Sequence, residues 1–352
     1  MKVSFPHFGN YDIAFEKLCQ KLNLDYVVPP KTTSFDIARG AKISPEMYCF
    51  PFKVNMGNYL RAIEQGANLL FMWQNPGLCR QRYYAKLQEK ALREAGCEVS
   101  VEGLGPKIIF QLKKIARTSF LKMIYLTIFT LWQFHLIEVI EKEARFYRPR
   151  EKEEGKTERI VEECFVQLRK TENFRDLFTF KRKMKRKFRE IELKKNSEPL
   201  KVGLIGEIFT VIDGVTNYAI EKKLGRMGVE VFRNLTLSEF IFEGIFFWRK
   251  KKIKKKAFPY LNSGVGGHGL FTVAQMIEYA EKKFDGIIHL LPFGCMPETS
   301  VRPLLQKIKK EKKIPFLSLS IDEQTIDTGL ETRLEAFVDL LKAKKYERVF
   351  RH

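Results

Sequence analysis

Short apolar runs alternate with amphipathic helical patterns at the beginning and at the end of the chain. Runs that predict buried strands begin near Met1, Asp25, Asn68 and Cys97, and again near Lys201, Val229, Gly286 and Pro315. Between them, apolar positions recur at helical spacing, as in Tyr11–Leu22 and Phe271–Lys283. Alternating strands and helices are typical of parallel sheets with helices on their faces, so the pattern predicts an α/β fold.

Residues 107–197 interrupt this alternation, because long helical patterns follow one another there with few turn residues. Residues 107–196 carry 24 Lys and Arg against 13 Asp and Glu, a net charge of +11 out of +21 for the whole chain. We therefore divide the chain into an N-terminal α/β domain (1–106), a helical basic connecting region (107–197) and a C-terminal α/β domain (198–352).

The excess of positive charge has two interpretations. The densest basic runs, Lys181–Arg189 and Arg249–Lys256, could bind an anionic partner such as nucleic acid, or they could simply solvate long helices. Aromatic residues beside these runs could stack on bases or form the buried faces of the same helices: Phe178, Phe180, Phe188, Phe247 and Trp248. We favour buried faces, and a nucleic-acid-binding protein stays an alternative.

One segment, residues 120–140, is a candidate for a membrane span. Its apolar run Met123–Trp132 is interrupted by Gln133, His135 and Glu138, and a run of about 10–14 apolar residues more often forms a buried helix. The first ten residues contain no apolar signal core. Six cysteines without a signal peptide indicate a reducing compartment and metal or redox roles. We therefore expect a cytoplasmic protein without a membrane span.

Three of the six cysteines share one local context, a turn containing Pro or Gly just before a predicted helix: Cys49, Cys79 and Cys295. Cys295 follows the predicted strand Gly286–Leu291, and Pro297 opens the next helix. Ligands of open α/β sheets bind at this edge, and a helix N-terminus favours the thiolate that binds metal. Thiolates hold zinc and iron–sulfur clusters. The spacings are 30 and 216 residues, so only the fold can bring the three together.

The other three cysteines have simpler explanations. Cys19 and Cys164 lie within amphipathic helical patterns, and Cys97 lies at the start of a predicted strand. Buried free cysteine commonly behaves as a small apolar residue, so we predict structural roles for these three.

A loop with four glycines, Gly264, Gly266, Gly267 and Gly269, precedes the helix that begins near Phe271. Its GxGxxG spacing matches dinucleotide-binding loops, but it follows no strand directly and no acidic residue ends the next strand, so we reject a Rossmann site. Glycines let backbone N–H groups approach an anionic ligand, and we predict such a role. His268 within the loop could donate a hydrogen bond, act as an acid or base, or only pack.

Six motifs in the same order resemble the short acyl-CoA dehydratase activase-related (CoA protein activase) proteins, relatives of the 2-hydroxyacyl-CoA dehydratase subunits. The motifs are SPEMYCFPFKVNMGN, GLCRQRYY, GEIFTVIDGVTN, GVGGHGLFTVAQ, GIIHLLPFGCMPE and LSIDEQTIDTGLETRLEAFVDLL. The resemblance covers residues 1–105 and 199–352, and does not extend clearly through the helical middle. It implies two flavodoxin-like parallel-sheet domains with a helical, basic insertion between them.

The resemblance also implies a cofactor. The dehydratase subunits hold a [4Fe-4S] cluster on three cysteines between their two domains, and the matching positions here are Cys49, Cys79 and Cys295. In those enzymes the remaining iron takes the substrate thioester carbonyl, and an ATP-hydrolysing activator protein with its own iron–sulfur cluster supplies the electron. Relatives tend to carry a further cysteine where this chain has Pro76. With three cysteines available, a single cluster is favoured over a double cubane.

From the resemblance we expect low-potential electron transfer, or reductive radical chemistry on an acyl-CoA-like substrate. Glu298 and His268 are the expected catalytic residues. Near the cluster we also place Glu46, Lys53, Arg80, Asp322 and Glu323, where Lys53 and Arg80 could neutralise thiolate charge or hold a phosphate. Since dehydratases work as two different subunits, a homodimer or a related subunit is a further expected partner. The remaining alternative is a structural zinc protein, in which His268 or His289 would complete the site.

Overall fold

The computed structural model describes residues 1–74, 77–195, 197–245 and 247–350. Its strands form two four-stranded sheets, and every strand pair in both sheets is parallel. The first sheet contains β1 (Lys2–Ser4), β2 (Asp25–Val27), β3 (Leu69–Trp73) and β4 (Ser100–Leu104), and the second β5 (Leu200–Gly206), β6 (Val229–Phe232), β7 (Gly286–Pro292) and β8 (Phe316–Ile321).

The orders are β2-β1-β3-β4 and β6-β5-β7-β8, the same arrangement twice and the order of flavodoxin-like folds. The predicted α/β class with two parallel sheets is confirmed. All seven residues of β7 are buried, as expected for the apolar run that precedes Cys295.

Helices cover the sheets and fill the middle of the chain. In the first part they are α1 (Asp12–Lys21), α2 (Ser34–Ile43), α3 (Phe50–Glu64), a 3₁₀ helix (Arg80–Tyr83) and α4 (Tyr84–Glu94), followed by α5 (Ile108–Ile115), α6 (Phe120–Tyr147), α7 (Lys156–Arg169) and α8 (Phe174–Arg189). The remainder are α9 (Ile208–Ile212), α10 (Ile220–Arg226), α11 (Leu237–Ile245), α12 (Phe247–Ala257), α13 (Gly269–Glu281), α14 (Met296–Lys312) and α15 (Asp327–Phe350).

Some boundaries differ from the sequence pattern, and each difference has a local cause. The sequence pattern predicts a helix over Val215–Gly225, but α10 begins at Ile220. The start is later because the Asn217 amide donates to the Thr210 carbonyl oxygen and Ala219 adopts a left-handed backbone. The pattern does not predict α2, which begins with a capping box between Thr33 and Asp36. The residues QNPGL at positions 74–78 predict a turn, of which Asn75 and Pro76 lie outside the described residues.

The connecting helices pack against both sheets. In α6, Met123 and Leu126 join the core over the first sheet, while Phe134, Ile137 and Ile140 pack with α1, α7 and α8. On the other side of α6, Arg233 is buried between the carboxylates of Glu141 and Glu221, with nitrogen–oxygen distances of 2.5 and 2.8 Å.

The aromatic residues beside the basic runs divide into two groups. Phe180 and Phe188 are buried in the core formed with α6 and α7, which agrees with the buried-face interpretation. Phe178 is exposed, with its ring 5.4 Å from that of Trp132, and Trp248 is exposed. The side chain of Phe247 lies outside the described part of the chain. Two of the five candidate base-stacking residues are therefore inside the protein. They are not available to stack on bases, which weakens the nucleic-acid alternative.

Among the described helices, α6 alone is long enough and apolar enough to cross a membrane, judged by length and composition only. Half of its most apolar 18-residue window is buried inside the protein. That burial agrees with the predicted core helix, because a spanning helix would have to leave these contacts.

Candidate functional site

Each of the three singled-out cysteines is the residue directly before a helix. Cys49 precedes α3, Cys79 precedes the 3₁₀ helix that leads into α4, and Cys295 precedes α14. All three have extended backbone conformations, so the chain turns into the helix at the next residue. Cys49 and Cys295 are buried and Cys79 is partly exposed. The predicted local context is confirmed at all three positions.

The turns that contain these cysteines lie next to each other, and we call the place where they meet the crevice. The Phe50 N–H group donates to the Phe293 carbonyl oxygen at 3.0 Å, which joins the Cys49 turn to the Cys295 turn. A Cβ atom added at Gly294 would lie 3.2 Å from the Cα atom of Cys49, and one at Gly267 would lie 3.9 Å from the Cβ atom of Cys79. The second domain therefore contacts both cysteines of the first.

The pKa values of the thiols also indicate that the cysteines are close together. Burial raises the pKa of Cys49 to about 12, and the neighbouring Cys79 adds to this increase. The pKa of Cys295 is raised by burial, then by Glu298, Glu207 and Cys49. Burial raises the pKa of Cys79 as well. We expected helix N-termini to favour the thiolate, but in the protein alone desolvation outweighs that effect. A cationic ligand would favour the thiolates again.

Among the described residues, no group of three or more His, Cys, Asp or Glu side chains is placed to hold a single metal ion. A tetrahedral zinc site would need four donors about 2.0–2.3 Å from the metal. Both ring nitrogens of His289 are already occupied, with Nε2 2.9 Å from Glu298 Oε2 and Nδ1 3.1 Å from Ser318 Oγ. His289 therefore has no free ring nitrogen with which to complete a zinc site.

Arg80 holds the two cysteine turns in place. Its guanidinium donates to the Met47 carbonyl oxygen at 2.8 Å and also to the Gly294 carbonyl oxygen in the other domain. It lies over the Tyr48 ring, and it lowers the pKa of the nearby Cys49 and Cys79. Arg80 therefore places positive charge next to the thiols, while its donors bind backbone carbonyl groups.

The remaining charged candidates have different surroundings. Lys53 forms an ion pair with Glu323 across the two domains. Asp322 Oδ1 accepts a hydrogen bond from the Gln324 N–H group at 2.9 Å and so shapes the loop after β8. Glu46 is exposed. Lys53 and Glu323 are thus in contact with each other, whereas Asp322 stabilises the turn that contains it.

Glu298 is fully buried next to Cys295. The Thr272 hydroxyl donates to Glu298 Oε1 at 3.1 Å, and His289 contacts Oε2. Its charge raises the pKa of Cys295. A carboxylate so held cannot swing out to solvent, so any ligand that uses it must enter the crevice.

His268 is buried directly before α13. Its ring lies 5.1 Å from that of Phe240, and no described residue bonds its Nε2 atom. Because burial lowers the pKa of His268 to about 4, the ring is neutral at neutral pH. It can therefore donate or accept a hydrogen bond there, but it is not a cationic acid.

Two family models match parts of this chain. A sequence model of the CoA enzyme activase uncharacterised domain (DUF2229) matches residues 7–235, well over half of the chain. The chain belongs to this family. A model of the 2-hydroxyglutaryl-CoA dehydratase, D-component, matches residues 272–341. No curated protein matches the chain.

The predicted resemblance to activase-related proteins is therefore confirmed, but its predicted extent was wrong, because the activase-domain match continues through the helical middle of the chain. Within this member of the CoA enzyme activase domain family, Cys49 and Cys79 lie in the activase-domain match and Cys295 in the dehydratase match. The crevice thus combines cysteines from both matched segments.

Two residues near the cysteines of this activase-domain protein were not predicted from the sequence. Glu207 follows β5, and its carboxylate accepts hydrogen bonds from the N–H groups of Phe209 and Thr210 at 3.0 and 2.9 Å. It raises the pKa of all three cysteines, so it lies close to them. The Tyr84 hydroxyl contacts the Cys49 thiol. The position of Glu207 directly after a strand is a signal that could have identified it from the sequence. Nothing in the sequence identifies Tyr84.

The buried His268 predicts a specific pH dependence of stability. The unfolded chain takes up a proton below the ordinary pKa of 6.5, but the folded protein does so only near pH 4. Stability is therefore complete above pH 6.5 and is lost as pH falls towards 4. We expect about 2 kcal/mol of loss from this residue between pH 7.5 and 5.

Urea unfolding of the wild type and of His268→Leu at both pH values measures this contribution. Between pH 7.5 and 5, the free energy of unfolding of the variant should fall by about 2 kcal/mol less than that of the wild type. Equal losses in the two proteins would show that His268 is not held neutral in the folded state.

Proposed function

We propose that this chain is an iron–sulfur protein related to the 2-hydroxyacyl-CoA dehydratases, in which Cys49, Cys79 and Cys295 hold a [4Fe-4S] cluster. The observation that carries the proposal is the meeting of three helix-start cysteines, contributed by both domains, in one crevice. When bound, the cluster would supply one-electron chemistry at low potential.

The residues present fit such a cluster. Each thiolate of a cluster binds a different iron, so the sulfurs stand further apart than the ligands of one metal ion. This agrees with three neighbouring cysteines that form no mononuclear site. Three helix N-termini and the Arg80 guanidinium would offset the negative charge of the thiolates. Gly267 and Gly294 approach the cysteines without side chains that would fill the space.

An acyl-CoA-like thioester is the proposed ligand of this crevice. Gly266 and Gly267 have positive φ angles of 85° and 47° in the loop that contacts Cys79. Backbone N–H groups in such a glycine loop can bind an anionic or carbonyl oxygen. Burial raises the pKa of Glu207, so this carboxyl group takes up a proton more readily than an exposed one would. Glu298, fixed by His289, is the second carboxyl group for proton transfer.

The proposed electron donor is an ATP-hydrolysing activator protein with its own iron–sulfur cluster. Large apolar side chains are exposed within two residues of each cysteine, namely Met47 (73%), Leu78 (65%), Phe293 (50%) and Met296 (43%). Exposed apolar residues grouped around a site are typical of protein docking surfaces. A partner seated on them would lie directly over the thiols, as electron transfer requires.

Anaerobic purification tests the cofactor and the ligand together. We expect brown protein with about four irons and four sulfides per chain, since a cubane contains that number. Addition of an acyl-CoA to the reduced protein should alter its EPR spectrum, because three cysteines leave one iron without a protein thiolate. Protein that contains zinc, or no metal after reconstitution with iron and sulfide, would contradict the cluster.

An unchanged EPR spectrum, together with spectroscopic signs of a fourth protein ligand, would contradict only the acyl-CoA part. The protein would then be an electron-transfer centre without a substrate site.

A further inference from the structure

A stripe of large apolar side chains lies on the surface of α5 and the first half of α6. Phe120, Leu121, Ile124, Tyr125 and Ile128 recur at helical spacing along one side of α6, and all are exposed, Leu121 by 79%. Phe110 of α5 is 61% exposed, and its ring stacks on that of Phe120 with centroids 5.8 Å apart. We call these six residues the α5–α6 patch.

The opposite side of α6 is firmly held in the protein. Met123 and Leu126 are 1% and 2% exposed in the core over the first sheet, and Phe129 is buried against α1 and the other connecting helices. The helix therefore cannot rotate to bury its exposed stripe. Half of its most apolar window also belongs to the protein interior, as expected for a core helix.

The charges within the segment that contains the patch have one sign. No Asp or Glu occurs between Glu102 and Glu138, whereas the same segment contains Lys107, Lys113, Lys114, Arg117 and Lys122. Within the part of the chain that the structure describes, none of these five cations forms an ion pair with a carboxylate. Elsewhere the basic residues are often paired, as Lys187 is with Glu163 and Arg148 with Glu158.

We propose that the α5–α6 patch binds an anionic lipid surface, with α5 and the start of α6 lying in the plane of the headgroups. Aromatic and aliphatic side chains beside unpaired Lys and Arg are the composition of helices that lie in the membrane interface. The apolar side chains would enter the acyl boundary while the cations contact lipid phosphates.

Nucleic acid fits this surface less well. Phosphates would satisfy the cations, but Leu121, Ile124 and Ile128 would gain nothing from a polar backbone. A second protein could cover the patch, and the experiment below separates that occupant from lipid. The patch contains none of the cysteine-site residues, so it does not depend on the proposed function.

Vesicle co-sedimentation of the full-length protein tests the proposal. We expect the wild type to bind phosphatidylcholine vesicles containing phosphatidylglycerol at least about tenfold more tightly than pure phosphatidylcholine vesicles, because several cations contribute. High salt should weaken this binding, since surface charges are screened. Leu121→Glu/Ile128→Glu should reduce binding to anionic vesicles by about tenfold or more, as it removes apolar insertion and adds negative charge.

Val166→Glu on α7 is the matched control, because Val166 is also an exposed apolar residue on a connecting helix, at 53%. It should bind vesicles as the wild type does. Lys113→Gln/Lys114→Gln is a second variant, in case the double Glu variant unfolds. Neither lysine forms an ion pair among the described residues, so their replacement should not disturb the fold. Its affinity for anionic vesicles should fall by about fivefold or more.

Equal binding to neutral and anionic vesicles, or wild-type binding by Leu121→Glu/Ile128→Glu, would overturn the proposal. So would a wild type that ignores vesicles and elutes as a dimer, with the double Glu variant eluting as a monomer. In that case a second copy of the chain covers the patch.

Discussion

Replacement of Cys295 by Ala is expected to abolish iron incorporation during anaerobic reconstitution. The proposed cluster takes two thiolates from the first domain and one from the second, and two cysteines hold a cubane too weakly to survive desalting. Cys49→Ala and Cys79→Ala should have the same effect. The measurement is iron and sulfide content per folded chain after gel filtration, together with the visible absorption spectrum.

Cys19→Ala and Cys164→Ala are the matched controls, because both thiols are as deeply buried as those of the crevice. Each removes a buried sulfur from a helix and should cost some stability while leaving iron content unchanged. Circular dichroism would show that all variants remain folded. Full iron loading of Cys295→Ala would remove Cys295 from the ligand set.

The second large effect is expected from Gly57→Ala. A Cβ atom at this position in α3 would lie 2.0 Å from the carbonyl oxygen of Asp36 in α2, which is backbone and cannot rotate away. The reciprocal contact occurs at Gly40, whose Cβ atom would lie 2.0 Å from the Lys53 carbonyl oxygen. The two helices touch backbone to backbone at these glycines. We expect Gly57→Ala to lower the free energy of unfolding by about 4 kcal/mol or more.

Urea unfolding compares this variant with Gly329→Ala. Gly329 also lies in a helix, but a Cβ atom there would have no neighbour within 4 Å. The control should therefore be neutral or more stable by up to about 1 kcal/mol, because alanine favours helix. Since α3 carries Cys49 at its start, Gly57→Ala should also reduce iron binding. A stability of Gly57→Ala equal to that of the wild type would mean that α2 and α3 do not cross at these residues.

The parts of the fold that follow from local pattern could be predicted from the sequence. The run Val229–Phe232 is a strand with those bounds, and each cysteine turn is followed at once by a helix. These features depend on apolar periodicity and on Pro or Gly at a helix start, which are properties of a few neighbouring residues.

Features that depend on distant contacts could not be predicted in this way. Helix α2 is stabilised by packing against α3 through Gly40 and Gly57, and its own sequence is only moderately apolar. Glu207 has no motif that relates it to Cys49, 158 residues away, and it enters the site because β5 ends there. Likewise, Arg80 was singled out for its charge, whereas the contacts that fix it are to backbone carbonyl groups in two domains.

The contribution of cysteines from both sheets has a consequence for the order in which the protein matures. During synthesis Cys79 leaves the ribosome 216 residues before Cys295, and Cys49 leaves earlier still, so two of the three thiols are made long before the third. A ligand bound to all three can be retained only after the second sheet has folded and docked. Once bound, it fastens the two halves, and its dissociation constant is linked to the free energy of their docking. Oxidative loss of such a ligand would therefore also loosen the contact between the domains.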